Sequence, residues 1–271
     1  MKSYFETKLG KLYHGDCLEI IPGLEPVNLI VTSPPYDNLR EYDGYTFEFE
    51  KIASGCKDVL MDGATLVWIV SDETKDGNES GTSFSQALFF KKIGLKLHDT
   101  MIYRQKGVGA KGSNKSYYQG FEYMFVFVNG EIKTVNRIAD KKNKTVGLIG
   151  QGRFGSNEKP HKTLQKGIRD NVWEYAVGFM DNSDKTAHPA PFPEALVRDH
   201  ILSWSNESET VLDIMCGSGT TLKMAEKLNR RWIGIEISEK YCEMAAKRIG
   251  GVQYEIDQVK QGKQDKIGLF Y

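Results

Sequence analysis

Short apolar runs bounded by glycine, proline or polar turns alternate along this chain with longer segments of helical spacing. Asn28-Leu-Ile-Val-Thr32 is a β-branched run that stops at Ser33-Pro34-Pro35. Proline cannot continue a central strand, so the run predicts a buried parallel strand that delivers a rigid turn. Thr65-Leu-Val-Trp-Ile-Val70 predicts a second such strand, and Ser83 to Ile93 carries helical spacing that ends at Gly94. Leu97–Arg104 and Glu122–Val128 predict two further strands, joined by 17 residues rich in Gly, Lys and Ser that read as a loop.

The pattern becomes regular again after residue 185. Pro193 to Trp204 has amphipathic helical spacing through Leu196, Val197, Ile201 and Leu202. Strand Thr210–Ile214, helix Thr221–Leu228, strand Trp232–Glu236 and helix Glu239–Ile249 then follow in turn. That order is a βαβ unit and predicts an α/β fold with a doubly wound, mostly parallel sheet. The stretch between, rich in Lys, Gly and Asn, reads as a small irregular insert rather than a second core. The predicted organisation is 1–130 and 186–250 as two halves of one domain, 131–185 as the insert and 251–271 as a polar tail.

Composition excludes several classes. The chain has 271 residues, four Cys and no apolar run near the roughly 20 residues that a spanning helix needs. Its first twenty residues lack the apolar centre of a secretory signal. Cys17, Cys56, Cys216 and Cys242 form no CxxC pair, and no His cluster has ligand spacing, so neither a disulfide framework nor a metal site is indicated. Reduced thiols in a cytoplasm are the plain reading.

Net charge is zero, from 36 Lys+Arg and 36 Asp+Glu, but it is unevenly spread. Residues 133–169 hold ten Lys/Arg against Asp140 and Glu158, and residues 104–118 hold Arg104, Lys106, Lys111 and Lys115 with no acid. A basic block in an otherwise acidic chain fits local contact with a polyanion; a solvated loop kept soluble by its lysines is the alternative.

Two turns carry candidate chemistry. Asp213-Ile-Met-Cys-Gly-Ser-Gly-Thr-Thr221 sets Gly217 and Gly219 between a strand and a helix, where backbone can touch a ligand and the helix start offers unpaired N–H groups. Glu236 ends the next strand, where a carboxylate can hold a ribose diol. The third dinucleotide-binding glycine is replaced by Leu222 and no P-loop Lys follows. Asp213 would repel a pyrophosphate yet pair with an ammonium, so a ligand with adenosine at one end and an amino acid at the other satisfies both acids. In Ser33-Pro34-Pro35-Tyr36, the Ser33 hydroxyl and the Pro34 carbonyl are acceptors for an amino group, and Tyr36 offers a ring to stack on a base. None of the four Cys follows Pro, which argues against C5-cytosine methylation through a thiolate.

These residues resemble known segments. The 213–221 turn is similar to the S-adenosylmethionine (SAM) loop of class I methyltransferases, and more narrowly to the Asp-Pro-Phe-x-Gly-Ser-Gly-Thr-Thr form of DNA amino-methyltransferases, with Ile214-Met215-Cys216 in place of Pro-Phe-x. Ser-Pro-Pro-Tyr resembles their catalytic signature, and Ser at its first position resembles the N4-cytosine branch more than the N6-adenine one. The catalytic turn precedes the cofactor turn, as in the permuted β group. The resemblance extends to Leu12–Cys17, Phe121–Phe127, Asn171–Trp173 and His188–Pro193.

The resemblance implies a Rossmann-like fold and SAM as cofactor, contacted by Asp16, Cys17, Phe192, Asp213, Cys216, Gly217, Gly219, Thr220, Thr221 and Glu236. It implies catalysis at Ser33, Pro34, Pro35 and Tyr36, with no role for His188. Double-stranded DNA is the implied partner, gripped by Arg40, Lys106, Lys111, Lys115, Lys141, Lys142, Arg153 and Lys162. The expected enzyme is a cytoplasmic, prokaryotic or phage monomer or homodimer, of a restriction-modification system with its endonuclease or an orphan. Cytosine N4 is favoured over adenine N6. RNA or a protein glutamine as substrate, and a DNA-binding protein without catalysis, are the other readings.

Overall fold

The computed structural model describes residues 2–35, 47–107, 117–147, 149–150, 161–162, 164–177 and 193–260. Among them nine strands form one sheet: β1 (Phe5–Glu6), β2 (Gly10–His14), β3 (Val27–Thr32), β4 (Leu60–Val70), β5 (Lys96–Lys106), β6 (Phe121–Val128), β7 (Val172–Ala176), β8 (Thr210–Asp213) and β9 (Arg231–Glu236). Their order across the sheet is β1-β2-β9-β8-β3-β4-β6-β5-β7. From β2 to β4 every neighbouring pair is parallel. β6 runs antiparallel to both β4 and β5, and β7 returns parallel to β5.

The helices are α1 (Cys17–Ile20), α2 (Phe49–Val59), α3 (Thr82–Lys92), α4 (Glu194–Trp204), α5 (Thr220–Lys227) and α6 (Glu239–Lys260). They cover both faces of the sheet, which is why β3 and β4 read as nearly continuous apolar runs. Alternate residues serve opposite cores. Leu29, Val31, Val67 and Ile69 pack with Leu196, Ile201, Leu222 and Ala245 from α4, α5 and α6. Ile30, Leu66, Trp68 and Val70 pack with Ile52, Cys56 and Phe90 from α2 and α3.

The observed elements depart from the expected ones in several places. Val172–Ala176, placed in the insert by its sequence, is an edge strand of the main sheet, paired with Ile102–Lys106. Within the insert Lys141–Lys142 pairs antiparallel with Lys166–Gly167, and Ile149–Gly150 with His161–Lys162, two short pairings in an otherwise irregular stretch of the described residues. Polar composition gave no sign of this short ribbon. The last helix continues to Lys260, through residues expected to begin a tail.

The root of this ribbon is fastened to the main domain. Arg169 pairs with Asp140 across the root and reaches Asp199 of α4 at 2.6 Å, and the Tyr175 hydroxyl of β7 donates to the same carboxylate at 2.6 Å. Asp199 is almost wholly buried, so its charge needs these donors and Arg198 beside it. The basic ribbon is therefore held against the fold at its base.

Candidate active site

Four neighbouring parallel strands deliver the predicted site residues to one edge. β8 and β3 are in register through Val211 with Leu29 and Leu212 with Ile30, which brings Asp213 beside the end of β3. There the buried Thr32 hydroxyl donates to Asp213 Oδ1 at 2.9 Å. On the other flank β9 pairs with β2 up to Glu236 opposite His14, and Gly15 N–H donates to the Glu236 carbonyl at 2.9 Å. Asp16, Glu236, the glycine turn and Ser33-Pro34-Pro35 thus follow the ends of β2, β9, β8 and β3. Carboxyl edges of this kind are where open α/β sheets bind ligands.

The glycine turn owes its shape to specific contacts. Gly217 and Gly219 have φ of +50° and +77°. A Cβ on Gly219 would lie 2.7 Å from the Ala245 Cβ of α6, so the turn sits directly on that helix. Gly217 N–H donates to Glu236 Oε2 at 2.7 Å, and Ser238 N–H to Oε1 at 2.9 Å. Each Glu236 oxygen keeps acceptor capacity, so the carboxylate is oriented by the backbone without being saturated.

Behind the turn lies a buried polar network that sequence reasoning missed. Arg248 Nη1 donates to the Ser218 carbonyl at 2.8 Å, to its hydroxyl at 3.1 Å and to the Thr220 hydroxyl at 3.0 Å. Its Nη2 and Lys223 Nζ both reach Glu194 Oε1, at 3.1 and 2.8 Å. This cluster ties α4, α5 and α6 to the glycine turn. The signal was an arginine on the apolar stripe of α6, next to Ile249 and three residues from Ala245.

Electrostatics distinguish the two acids. Burial raises the Asp213 carboxyl to about 6, against the opposing pull of Thr221, Thr32 and the Met215 N–H and with a smaller push from Glu236. Thr221 faces Asp213, but its hydroxyl makes no hydrogen bond of good geometry. Burial also raises Glu236, while the backbone N–H groups of Ser238 and Gly217 oppose the shift. Among the described residues no Lys or Arg pairs with either acid. Two sequestered carboxylates with no Lys or Arg against them among the described residues suit a ligand that brings positive charge and hydroxyl donors, as SAM does.

All four cysteines are free and buried. Burial pushes Cys17 and Cys242 up to about 12, and Cys56 and Cys216 also upward. None is a thiolate at neutral pH, which agrees with the argument against a thiolate nucleophile. Cys216 lies within the cofactor turn and Cys17 opens α1 just after Asp16, which caps that helix through the Leu18 N–H at 2.9 Å.

Other predicted residues stand as follows. Pro34 is buried, and Ser33 and Pro35 are half-buried. Tyr36, Arg40, Lys111, Lys115, Arg153, His188 and Phe192 lie outside the described residues. Lys106 pairs with Glu174 at 2.7 Å and Lys141 with Asp170 at 2.7 Å, so these two cations already have internal partners. Lys142 is exposed on the same ribbon, and Lys162 lies on its outer strand pair.

A doubly wound sheet with this edge is the class I SAM-methyltransferase fold, and solved structures bear the likeness out. The PvuII DNA methyltransferase, titled cytosine-N4-specific, matches with a TM-score of 0.70 at 18% identity over 96% of both chains. The M1.HpyAVI–SAM complex matches with a TM-score of 0.63 at 23% identity, over 89% of this chain and 98% of that one.

The chain belongs to the DNA methylase family, whose model matches residues 27–247. It is 46% identical over 247 residues to the orphan methyltransferase M.BamHII of Bacillus amyloliquefaciens, covering 87% of this chain and 90% of that protein. It is 28% identical to the type II methyltransferase M.ScaI of Streptomyces caespitosus, over 92% of this chain and 84% of that one. It is 26% identical to the DNA adenine methyltransferase YhdJ of Escherichia coli (strain K12), over 97% of this chain and 91% of that one. No helix among the described residues is long and apolar enough to cross a membrane.

Proposed function

We propose that this DNA methyltransferase transfers a methyl group from SAM to the exocyclic N4 of a cytosine rotated out of double-stranded DNA. The observation that carries the reading is the Thr32–Asp213 hydrogen bond, 2.9 Å long and buried, which joins the strand leading into Ser33-Pro34 to the strand leading into the glycine turn. Bound SAM supplies an electrophilic methyl on a sulfonium. Glu236 accepts from the ribose diol, Asp213 faces the ammonium, and the glycine turn admits the ligand to the backbone. A base amine is conjugated with its ring and a poor nucleophile. Accepting its N–H bonds at Ser33 Oγ and the Pro34 carbonyl draws it toward tetrahedral geometry and stabilises charge as it develops. Ser33 in place of an Asp favours cytosine. Adenine N6 is the second reading, favoured by the similarity to YhdJ.

In this reading residues 1–130 and 186–250, joined by the edge strand Val172–Ala176, build the catalytic domain, and the rest of 131–185 recognises DNA. Incubation of the full chain with methyl-labelled SAM and a panel of duplex DNA, RNA and protein tests it. Label is expected in duplex DNA alone; label in RNA or protein, or in none, overturns it.

Asp213 gives a pH signature. Its carboxyl must be ionised to face the ammonium, yet without ligand it sits at about 6. Below that pH, SAM binding must therefore expel a proton. Calorimetry at about pH 5.5 in buffers of different ionisation heat is expected to show release of about three-quarters of a proton, fading by about pH 7.5. Asp213→Asn abolishes it, and buffer-independent heats at the lower pH contradict the assignment. The ligand-free fold has the opposite dependence: a raised carboxyl stabilises it below the unfolded value of 3.8, and this is lost as pH rises through about 6.

The basic ribbon gives a salt signature. If it neutralises six phosphates, DNA affinity falls about a thousand-fold between roughly 50 and 200 mM salt. Lys142→Ala is expected to shallow the log–log slope by about 0.9. Lys141→Ala does less, because Asp170 already holds that ammonium. Salt-independent binding contradicts a phosphate grip.

A further inference from the structure

Tyr117 and Tyr118 stand out among the aromatic residues. Tyr117 is fully exposed and Tyr118 is 66% exposed. Nearby Phe84 and Phe121 are also exposed but lean on Tyr123, at 5.4 and 5.2 Å between ring centres. Among the described residues neither Tyr117 nor Tyr118 has a ring partner. Two adjacent unsupported aromatic side chains are a costly surface for a chain that leaves them to water.

Their location is fixed by the next residue. Gln119 Nε2 donates to Ser71 Oγ at 2.6 Å and to the Asp72 carbonyl at 3.4 Å. Ser71 and Asp72 follow the end of β4, whose Trp68 is in register with Thr32 of β3. Asp72 is itself held, accepting from the Ser83 N–H at 2.8 Å at the start of α3. Gln119 thus pins the tyrosine pair to the same carboxyl edge as Ser33 and Pro34, one strand over. The pair lies on the substrate side of the molecule.

Charge selects the occupant. Arg104 and Lys106 pair with Glu174, and beyond them the sequence leading to the tyrosines carries Lys111 and Lys115 and no acid. A symmetric contact with a second copy would bring like charges together. Duplex DNA neutralises them, and its bases offer flat faces that tyrosine rings stack upon.

We propose that Tyr117 and Tyr118 insert into the opened duplex beside the target, stacking where the rotated base has left a gap. This rests on the DNA reading above and names the residues that hold the opened state. Rotation of one nucleotide breaks its stacking on both neighbours; side chains that enter the step replace that contact, as wedges do in bent complexes. The tyrosines contribute to opening and not to cofactor binding.

The test compares wild type, Tyr117→Ala/Tyr118→Ala and Tyr117→Phe/Tyr118→Phe, on the site first identified in plasmid DNA methylated by the wild type. One substrate is the matched duplex; the other has an abasic position opposite the target, which is already easy to open. The Ala pair is expected to lose about ten-fold to a hundred-fold in kcat/KM on the matched duplex and to recover most of it on the abasic one. The Phe pair stays close to wild type, and SAM affinity does not change. Both positions are exposed, so the melting temperature stays put. Equal loss on both duplexes, or no loss, overturns the insertion. So does a wild-type dimer that the Ala pair converts to monomer in sedimentation, which assigns the tyrosines to self-association. Wild type that methylates no duplex instead sinks the DNA reading itself.

Discussion

Gly219→Ala is expected to weaken SAM binding by about a hundred-fold or more and to lower the melting temperature. Two costs combine at this position. Its φ of +77° is left-handed backbone, which costs an L-residue about 1–2 kcal/mol. The new methyl would also stand 2.7 Å from the Ala245 Cβ, and overpacking of this kind costs about 1–3 kcal/mol. Together they amount to roughly two to three factors of ten. The turn can relieve them only by lifting off α6, which moves the Gly217 N–H away from Glu236 and spoils the cradle. Adding Ala245→Gly leaves the nearest atom at 3.1 Å, so it should restore the steric share and leave the backbone share. Calorimetric titration with SAM reads both. Wild-type affinity in Gly219→Ala means that this turn does not hold the cofactor.

Ser33→Ala is expected to cut turnover by about 10²–10³ while SAM affinity stays at the wild-type value. Ser33 follows Thr32, whose hydroxyl is committed to Asp213. The strand end is thereby tied to the glycine turn, and in the proposed reading the next side chain meets the base amine. Thr32→Val is the contrasting variant, removing a donor that favours ionised Asp213, and its loss should appear in SAM affinity at mildly acidic pH. Single-turnover rates with saturating SAM separate the two. Unchanged turnover in Ser33→Ala removes that hydroxyl from the chemistry.

The parts of the fold legible in the sequence were those with a strong period next to distinctive turn chemistry. Asn28–Thr32 is followed by Ser33 and two prolines, and Thr210–Glu236 alternates strand, glycine turn, helix and strand; both lie where their patterns put them, within a residue or so at each end. α2 was not legible, although Ile52, Ala53, Cys56 and Val59 form its buried face at helical spacing. Two of those side chains, Ala53 and Cys56, are small, and Gly55 sits among them. β7 was lost for another reason: Val172–Ala176 is a short edge strand with only Trp173 fully buried, and its membership depends on β5, far away in the chain.

The site divides along the same line. The acceptor turn, the glycine turn and Glu236 each carry a local signature. Their adjacency does not, because β8 lies beside β3 through sheet topology and not through sequence proximity. The Arg248–Glu194–Lys223 cluster was invisible because a charge on a helix reads as solvent-facing until packing shows what covers it. The internal ion pairs of Lys106 and Lys141 were equally beyond a count of charges.

The central claim is that turns after β3 and β8 form one pocket where methyl passes to a base amine. The most direct measurement is to methylate unmodified duplex DNA with the full chain and SAM, digest it to nucleosides and identify the product by mass and chromatography against standards. N4-methylcytosine is the predicted product. 5-Methylcytosine, or DNA that remains unmodified, would contradict the claim.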